Sequence, residues 1–282
     1  MLMTIAIPHV TPSAAARAPS FFSPGTAALA IYDGTTLIYV ANLFLDSSTQ
    51  FVTVYAKSGG TTVAPGTCSF TSSTATCTLT LTSTIGPHKF DLIAYPRSQG
   101  TQAQAAQRAV SDTGTPPAFV GVISSEGEIS VTLSPGTNPG QTLTMLGVAS
   151  RVVIAGPPNG PYNQATQFGY RIQDSTNAQI VQPGAAYDNG PVTITAAPAG
   201  IVTIAPNSIA TPPASVGDQN FNVTCVNANG GSVTISFNAT TSPNTAYASG
   251  LTYSTSNYSG SVIATQPFSC NPSTSTIPIN VQ

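Results

Sequence analysis

Apolar residues alternate with Thr, Ser and other small polar residues in short runs, and each run is closed by Gly, Pro, Asn or Asp. A period of two places alternate side chains on opposite faces of a strand, one dry and one wet. Phe221, Val223 and Cys225 share such a face, as do Val233, Ile235 and Phe237 after a turn at Asn227–Gly231. The runs recur about every 8–12 residues with turn chemistry between them, which predicts sheets packed on sheets, not helices layered on a parallel sheet. The expectation is an all-β chain of two β-sandwiches.

Particular turns follow from the same reading. Asp33-Gly34 joins a strand over Ala27–Tyr32 to one over Leu37–Leu45, and Ser58-Gly59-Gly60 closes a strand begun at Phe51. Thr71–Thr74 joins a strand bearing Cys68 and Phe70 to one bearing Ala75, Cys77, Leu79 and Leu81. Glu126-Gly127-Glu128 reads as a hairpin tip between Val120–Ser124 and Ile129–Leu133, and Asp188-Asn189-Gly190 as a turn. The Ala/Gln-rich stretch Gln102–Val110 is the one expected helix, of one or two turns. Prolines 8, 12, 19 and 24 make residues 1–20 an extended lead-in or linker. Residues 21–149 and 150–282 are then the two sandwiches.

Charge narrows the function classes. Charged residues are 6% of the chain, against about 25% in an ordinary soluble protein. The seven Lys and Arg are scattered, so no basic patch is offered to a phosphate backbone, and nucleic acid is not an expected partner. No apolar run reaches the length of a transmembrane helix. No secretory leader is visible at Met1-Leu2-Met3, so an exported chain is here a mature form or a fragment, with further domains before it a possibility.

The four cysteines, Cys68, Cys77, Cys225 and Cys270, match no zinc spacing. Two disulfides, one per half, are the simplest reading and imply an oxidising compartment; four buried thiols are the alternative. A tight turn at 71–74 sets Cys68 opposite Cys77.

Catalytic chemistry finds little material. His9 and His88 are the two histidines and read as exposed loop residues; no Gly-x-Ser-x-Gly occurs. Glu126 and Glu128 read as solvated acids at a hairpin tip. Asp188 with Asn189, Asp174 with Asn177, and Asp218 with Asn220 offer one carboxylate per cluster, which reads first as turn chemistry, with calcium as the lesser alternative. Lys57 and Lys89 are the two lysines able to form a Lys–Asn/Asp crosslink. No enzyme activity, cofactor or metal is expected. Tyr247, Tyr253 and Tyr258, set among Ser, Gly and Asn, have the composition of a binding loop and could stack on a sugar.

Several segments resemble immunoglobulin-like domains of large bacterial surface or secreted proteins. These are Ile5-Ala6-Ile7-Pro8 with Arg17, Pro19, Phe22-Ser23-Pro24 and Thr26; the Cys68–Cys77 hairpin followed by an aromatic strand ending at Tyr95; and Gly184 with Tyr187-Asp188-Asn189-Gly190-Pro191-Val192-Thr193-Ile194. The resemblance implies two tandem immunoglobulin-like β-sandwich domains outside the cytoplasm, and it brings no catalytic residues. The chain departs from antibody domains in having no Trp. The expected role is a non-enzymatic structural or adhesion module, a stalk or display unit. The alternative is a binding module for a glycan or a surface protein.

Overall fold

The computed structural model of the chain describes residues 2–8, 23, 26–34, 36–45, 51–58, 61–63, 67–70, 74–80, 83–96, 123–136, 138–182, 184–239 and 262–273. The expected helix at 102–110 lies outside them. Among the described residues every regular element is a strand, and no helix is long and apolar enough to cross a membrane.

Residues 2–147 supply two sheets. One has four strands in the order Gln141–Thr142 (β10), Leu2–Pro8 (β1), Thr74–Thr80 (β7) and Thr67–Phe70 (β6). The other has seven: Leu146–Gly147 (β11), Ser125–Leu133 (β9), Gly86–Pro96 (β8), Thr26–Asp33 (β2), Thr36–Leu45 (β3), Phe51–Ser58 (β4) and Thr61–Val63 (β5). The β2–β3 turn falls at Gly34, whose φ of 59° is the left-handed conformation that glycine adopts at no steric cost. β6 and β7 pair with Cys68 directly opposite Cys77. The start of the chain is built into a sheet: β1 pairs antiparallel with β7 and parallel with β10.

Residues 151–270 supply two more sheets. The first runs Arg151–Ala155 (β12), Ala165–Gln173 (β14), Gln219–Cys225 (β18), Val202–Ala205 (β16). The second runs Asn159–Gly160 (β13), Val262–Cys270 (β20), Gly231–Ala239 (β19), Val192–Ala197 (β15), Ser208–Ile209 (β17). Alternation sets what they bury. Phe168, Tyr170, Ile172, Phe221 and Val223 from the first sheet meet Val192, Ile194, Val233, Ile235, Phe237 and Phe268 from the second in one core. The rings interlock edge-to-face and offset, with Phe168–Phe221 centroids 5.1 Å apart and Phe221–Phe237 5.4 Å. Two sheets sharing one core is an arrangement consistent with a β-sandwich.

One expected turn is not a turn. Glu126, Gly127 and Glu128 lie inside the continuous strand β9, paired with Ile93, Leu92 and Asp91 of β8. Gly127 is there because the chain comes close: a Cβ at that position would lie 2.5 Å from the Thr144 carbonyl oxygen and 2.8 Å from Met145 Sδ. Glycine within a strand marks such an approach as readily as it marks a turn.

Candidate functional site

His88 is the first polar centre. It sits in β8, and its register with β2 brings the ring beside Asp33. Nδ1 is 2.6 Å from Asp33 Oδ2, and Ser83 Oγ donates to the same carboxylate oxygen at 3.2 Å. Ser83 Oγ is 3.5 Å from Nδ1. Nε2 donates to the Thr84 carbonyl at 2.9 Å, and the ring stacks on Phe90. The sequence expectation of an exposed loop histidine is therefore corrected: the side chain is 9% exposed and held on both nitrogens.

Imidazole, carboxylate and hydroxyl together invite comparison with a hydrolytic triad. A triad places the hydroxyl on one ring nitrogen and the acid on the other, so that one nitrogen is free to take the hydroxyl proton. Here Asp33 and the Ser83 hydroxyl lie on Nδ1, while Nε2 faces the Thr84 carbonyl at 2.9 Å, with Thr84 Oγ1 farther off at 3.5 Å. The short contact at Nε2 is to the carbonyl, not to the hydroxyl. The cluster ties residues 83–88 to the end of β2.

The second centre is acidic. Asp91 of β8 and Glu126 of β9 project on one face of the sheet at diagonal positions, since Asp91 lies opposite Glu128 and Ile93 opposite Glu126. Asp91 is 0% and Glu126 2% exposed. Asp188, from the turn after Tyr187, approaches the same place. Its N–H donates to the Gly147 carbonyl at 3.0 Å, and Gly147 pairs with Ser125 next to Glu126. Glu126 lies within hydrogen-bond reach of both Asp91 and Asp188. None of the four carboxyl oxygens of Asp91 and Glu126, nor Asp188 Oδ2, takes a hydrogen bond from an N–H or hydroxyl donor.

Burial is the main force on all three acids. It pushes Asp91 up to about 7 and Asp188 up to about 6, and it lifts Glu126 well above the usual carboxylate range with help from the two neighbouring acids. As three carboxylates the group has no proton to share; with Glu126 protonated, its O–H donates to a neighbour. The expectation that Glu126 is a solvated acid of ordinary strength is thus corrected. Glu128 does reach solvent, paired with Lys89 at 2.6 Å. Nothing in composition separates Glu126 from Glu128. The signal was Asp91, an acid set within the apolar run Phe90-Asp91-Leu92-Ile93-Ala94, whose five residues are all buried.

The third feature is the bridge between Cys225 and Cys270, 45 residues apart in sequence and 5.6 Å apart at Cα. Cys225 ends β18 in one sheet and Cys270 ends β20 in the other, so the bond joins the two sheets at the edge of their core. The backbone sets Cys68 and Cys77 in facing register, but their side chains lie outside the described structure.

The remaining candidates separate. Asp174 is buried, and its Oδ1 accepts from Thr176 N at 2.8 Å, Thr176 Oγ1 at 2.8 Å and Ala178 N at 3.0 Å, closing its own turn. Asp218 pairs with Arg171. Among the described residues no three His, Cys, Asp or Glu side chains are arranged to hold a metal ion. Lys89 pairs with Glu128 at 2.6 Å. His9, Tyr247, Tyr253, Tyr258 and the side chain of Lys57 lie outside the described residues.

Comparison with protein-family models and with curated proteins finds no match for this chain.

Proposed function

We propose that this chain is a non-enzymatic structural or adhesion module of a cell-surface or secreted protein, built of two immunoglobulin-like sandwiches. The observation that carries the reading is the Cys225–Cys270 bond across the two sheets of residues 151–270. A bond of that kind persists in oxidising surroundings and holds a sheet pair together under load.

Strand order supports the immunoglobulin-like part. Lettered in chain order as in that fold, β12-β14-β18-β16 reads A-B-E-D and β20-β19-β15 reads G-F-C, the constant-type arrangement. In residues 2–147, β1-β7-β6 reads B-E-D and β9-β8-β2-β3-β4 reads G-F-C-C′-C″, which has the added strands of the variable type. The cysteines depart from antibody domains: Cys225 and Cys270 lie on E and G, not B and F. Phe168 and Phe237 occupy the B and F core positions instead.

Charge supports a passive surface. Few fixed charges mean a weak long-range field and little nonspecific ionic attraction. The short contacts of His88, to Asp33 and to the Thr84 carbonyl, suit a tie between strands and support a non-catalytic reading.

Protease treatment of intact producing cells, with thiol counting on the released chain, tests the proposal. Release from the cell surface or medium with Cys225 and Cys270 unreactive to thiol reagents is the expected result. Recovery only from the cytoplasm, with those thiols free, would overturn it.

A further inference from the structure

The acids Asp91, Glu126 and Asp188 sit where the two halves of the chain meet, and the hydrogen bonds around them show how the halves are joined. Asn189 side-chain atoms bond both the N–H and the carbonyl of Ala149, each at 2.9 Å. Gln182 Nε2 donates to the Met145 carbonyl at 2.9 Å, and Asp188 N donates to that of Gly147 at 3.0 Å. These contacts fix the 182–189 segment to the strip 145–149. That strip is in turn the edge strand β11 on β9. The backbone groups named here are paired. Among the described residues, the carboxyl oxygens of Asp91 and Glu126 and Oδ2 of Asp188 take no N–H or hydroxyl donor.

We propose that Asp91, Glu126 and Asp188 form a proton-operated latch between the two halves, closed when the carboxyls share protons and loosened when they lose them. Glu126 lies in the middle, in reach of an acid from its own sheet and of one from the other half. Protonated, it donates to one of them; a second proton on Asp91 or Asp188 completes the string. Fully ionised, three negative charges face one another in a largely buried site where Asp91 and Glu126 take no N–H or hydroxyl donor among the described residues, and Coulomb repulsion pushes the Asp188 turn away from β9.

The other charges facing the group are few. Glu128 of β9 adds repulsion to Asp91 and Asp188. Lys89 of β8 relieves Asp91 only in part, being half-exposed and paired with Glu128. Tyr32 of β2 lies opposite Asp91. The 145–149 strip carries no titratable side chain. A string with Glu126 in its centre suits shared protons better than a cation, which needs its ligands to converge on one point.

The sign follows from linkage. All three acids bind protons more tightly folded than unfolded, where carboxyls titrate near ~4. Between about pH 4 and about pH 7 the folded chain therefore holds the excess protons, and its stability falls as pH rises through that window.

The test is native-state hydrogen exchange at the amides of Asp188 and Ala149, as protection factors at about pH 5 and about pH 8, with and without calcium and with EDTA. Protection is expected to fall by about tenfold or more at the higher pH, alike in calcium and in EDTA. Glu126→Gln replaces the titrating group with an amide whose two N–H bonds can serve both neighbours at any pH, so its protection is expected to stay high. If that variant does not fold, Asp188→Asn must at least halve the pH response on a logarithmic scale. Asp174, which burial also raises, is unchanged in both variants, so its contribution cancels. Protection that is flat or rises with pH would overturn the proposal, as would variants that keep the full wild-type response. Calcium restoring protection at the higher pH would overturn it too, because the acids would then hold a cation instead of protons.

Discussion

The two halves bury different chemistry in their sheets. Residues 151–270 use an apolar core of interlocking Phe and Tyr rings and a disulfide at its edge. Their charged residues are Arg151, Arg171, Asp174, Asp188 and Asp218, and of these only Asp188 approaches the other half's acids. In residues 2–147 the described polar clusters lie on one sheet: His88 with Asp33 at one end of β8, and Asp91 with Glu126 further along it. The lesson is that a low overall charge does not make individual charges idle. When charges are few and some are buried, each buried one has a large effect, since the interior screens it poorly.

The comparison breaks most directly in the second core. Phe221→Ala removes a ring that meets Phe168, Tyr170 and Phe237, and it is expected to cost roughly 3–5 kcal/mol by denaturant titration. A loss under about 1 kcal/mol would mean the two sheets do not share that core. Reducing the Cys225–Cys270 bond, or replacing both residues with Ala, is expected to cost about 4 kcal/mol in the chain-entropy account. Thermal melts with and without reductant measure it, and a second-half transition indifferent to reductant would contradict the clamp.

Gly127→Val sharpens the first half. It forces a side chain against the Thr144 carbonyl and Met145 and is expected to cost about 1–3 kcal/mol, with the damage felt at the 145–149 strip. If Gly127 were in a free turn, the same change would be nearly silent. The smallest effect belongs to exposed pairs. Removing Lys89, whose partner Glu128 is also solvent-exposed, is expected to change stability by about 0.5 kcal/mol or less after screening.

How far the sequence could be read follows the same divide. Where a strand has one wet face, alternation speaks plainly: Phe221, Val223 and Cys225 are buried in turn, with their intervening residues outward. The Asp33-Gly34 turn and the Cys68–Cys77 register came from local rules of turn chemistry and pairing, and the backbone agrees with both. Reading failed where both faces of a strand are covered. β8 buries Phe90 through Ala94 without a break, so the alternation that signals a wet face is lost, and nothing local marks Asp91 as buried. Glu126-Gly127-Glu128 misled for a related reason. Its glycine serves a close approach from residues 144–145, and that segment is distant enough in sequence to leave no local mark. His88 looked exposed because Gly86-Pro87 precedes it, yet its partner Asp33 lies 55 residues away.

Single-molecule stretching of the intact chain, with and without reductant, tests the central claim of a disulfide-clamped sheet pair most directly. With the bond intact, the loop closed by Cys225 and Cys270, 45 residues apart, stays out of the extended length; reduction should release roughly 150 Å more chain when the second half unfolds. Equal extension in the two conditions would contradict it.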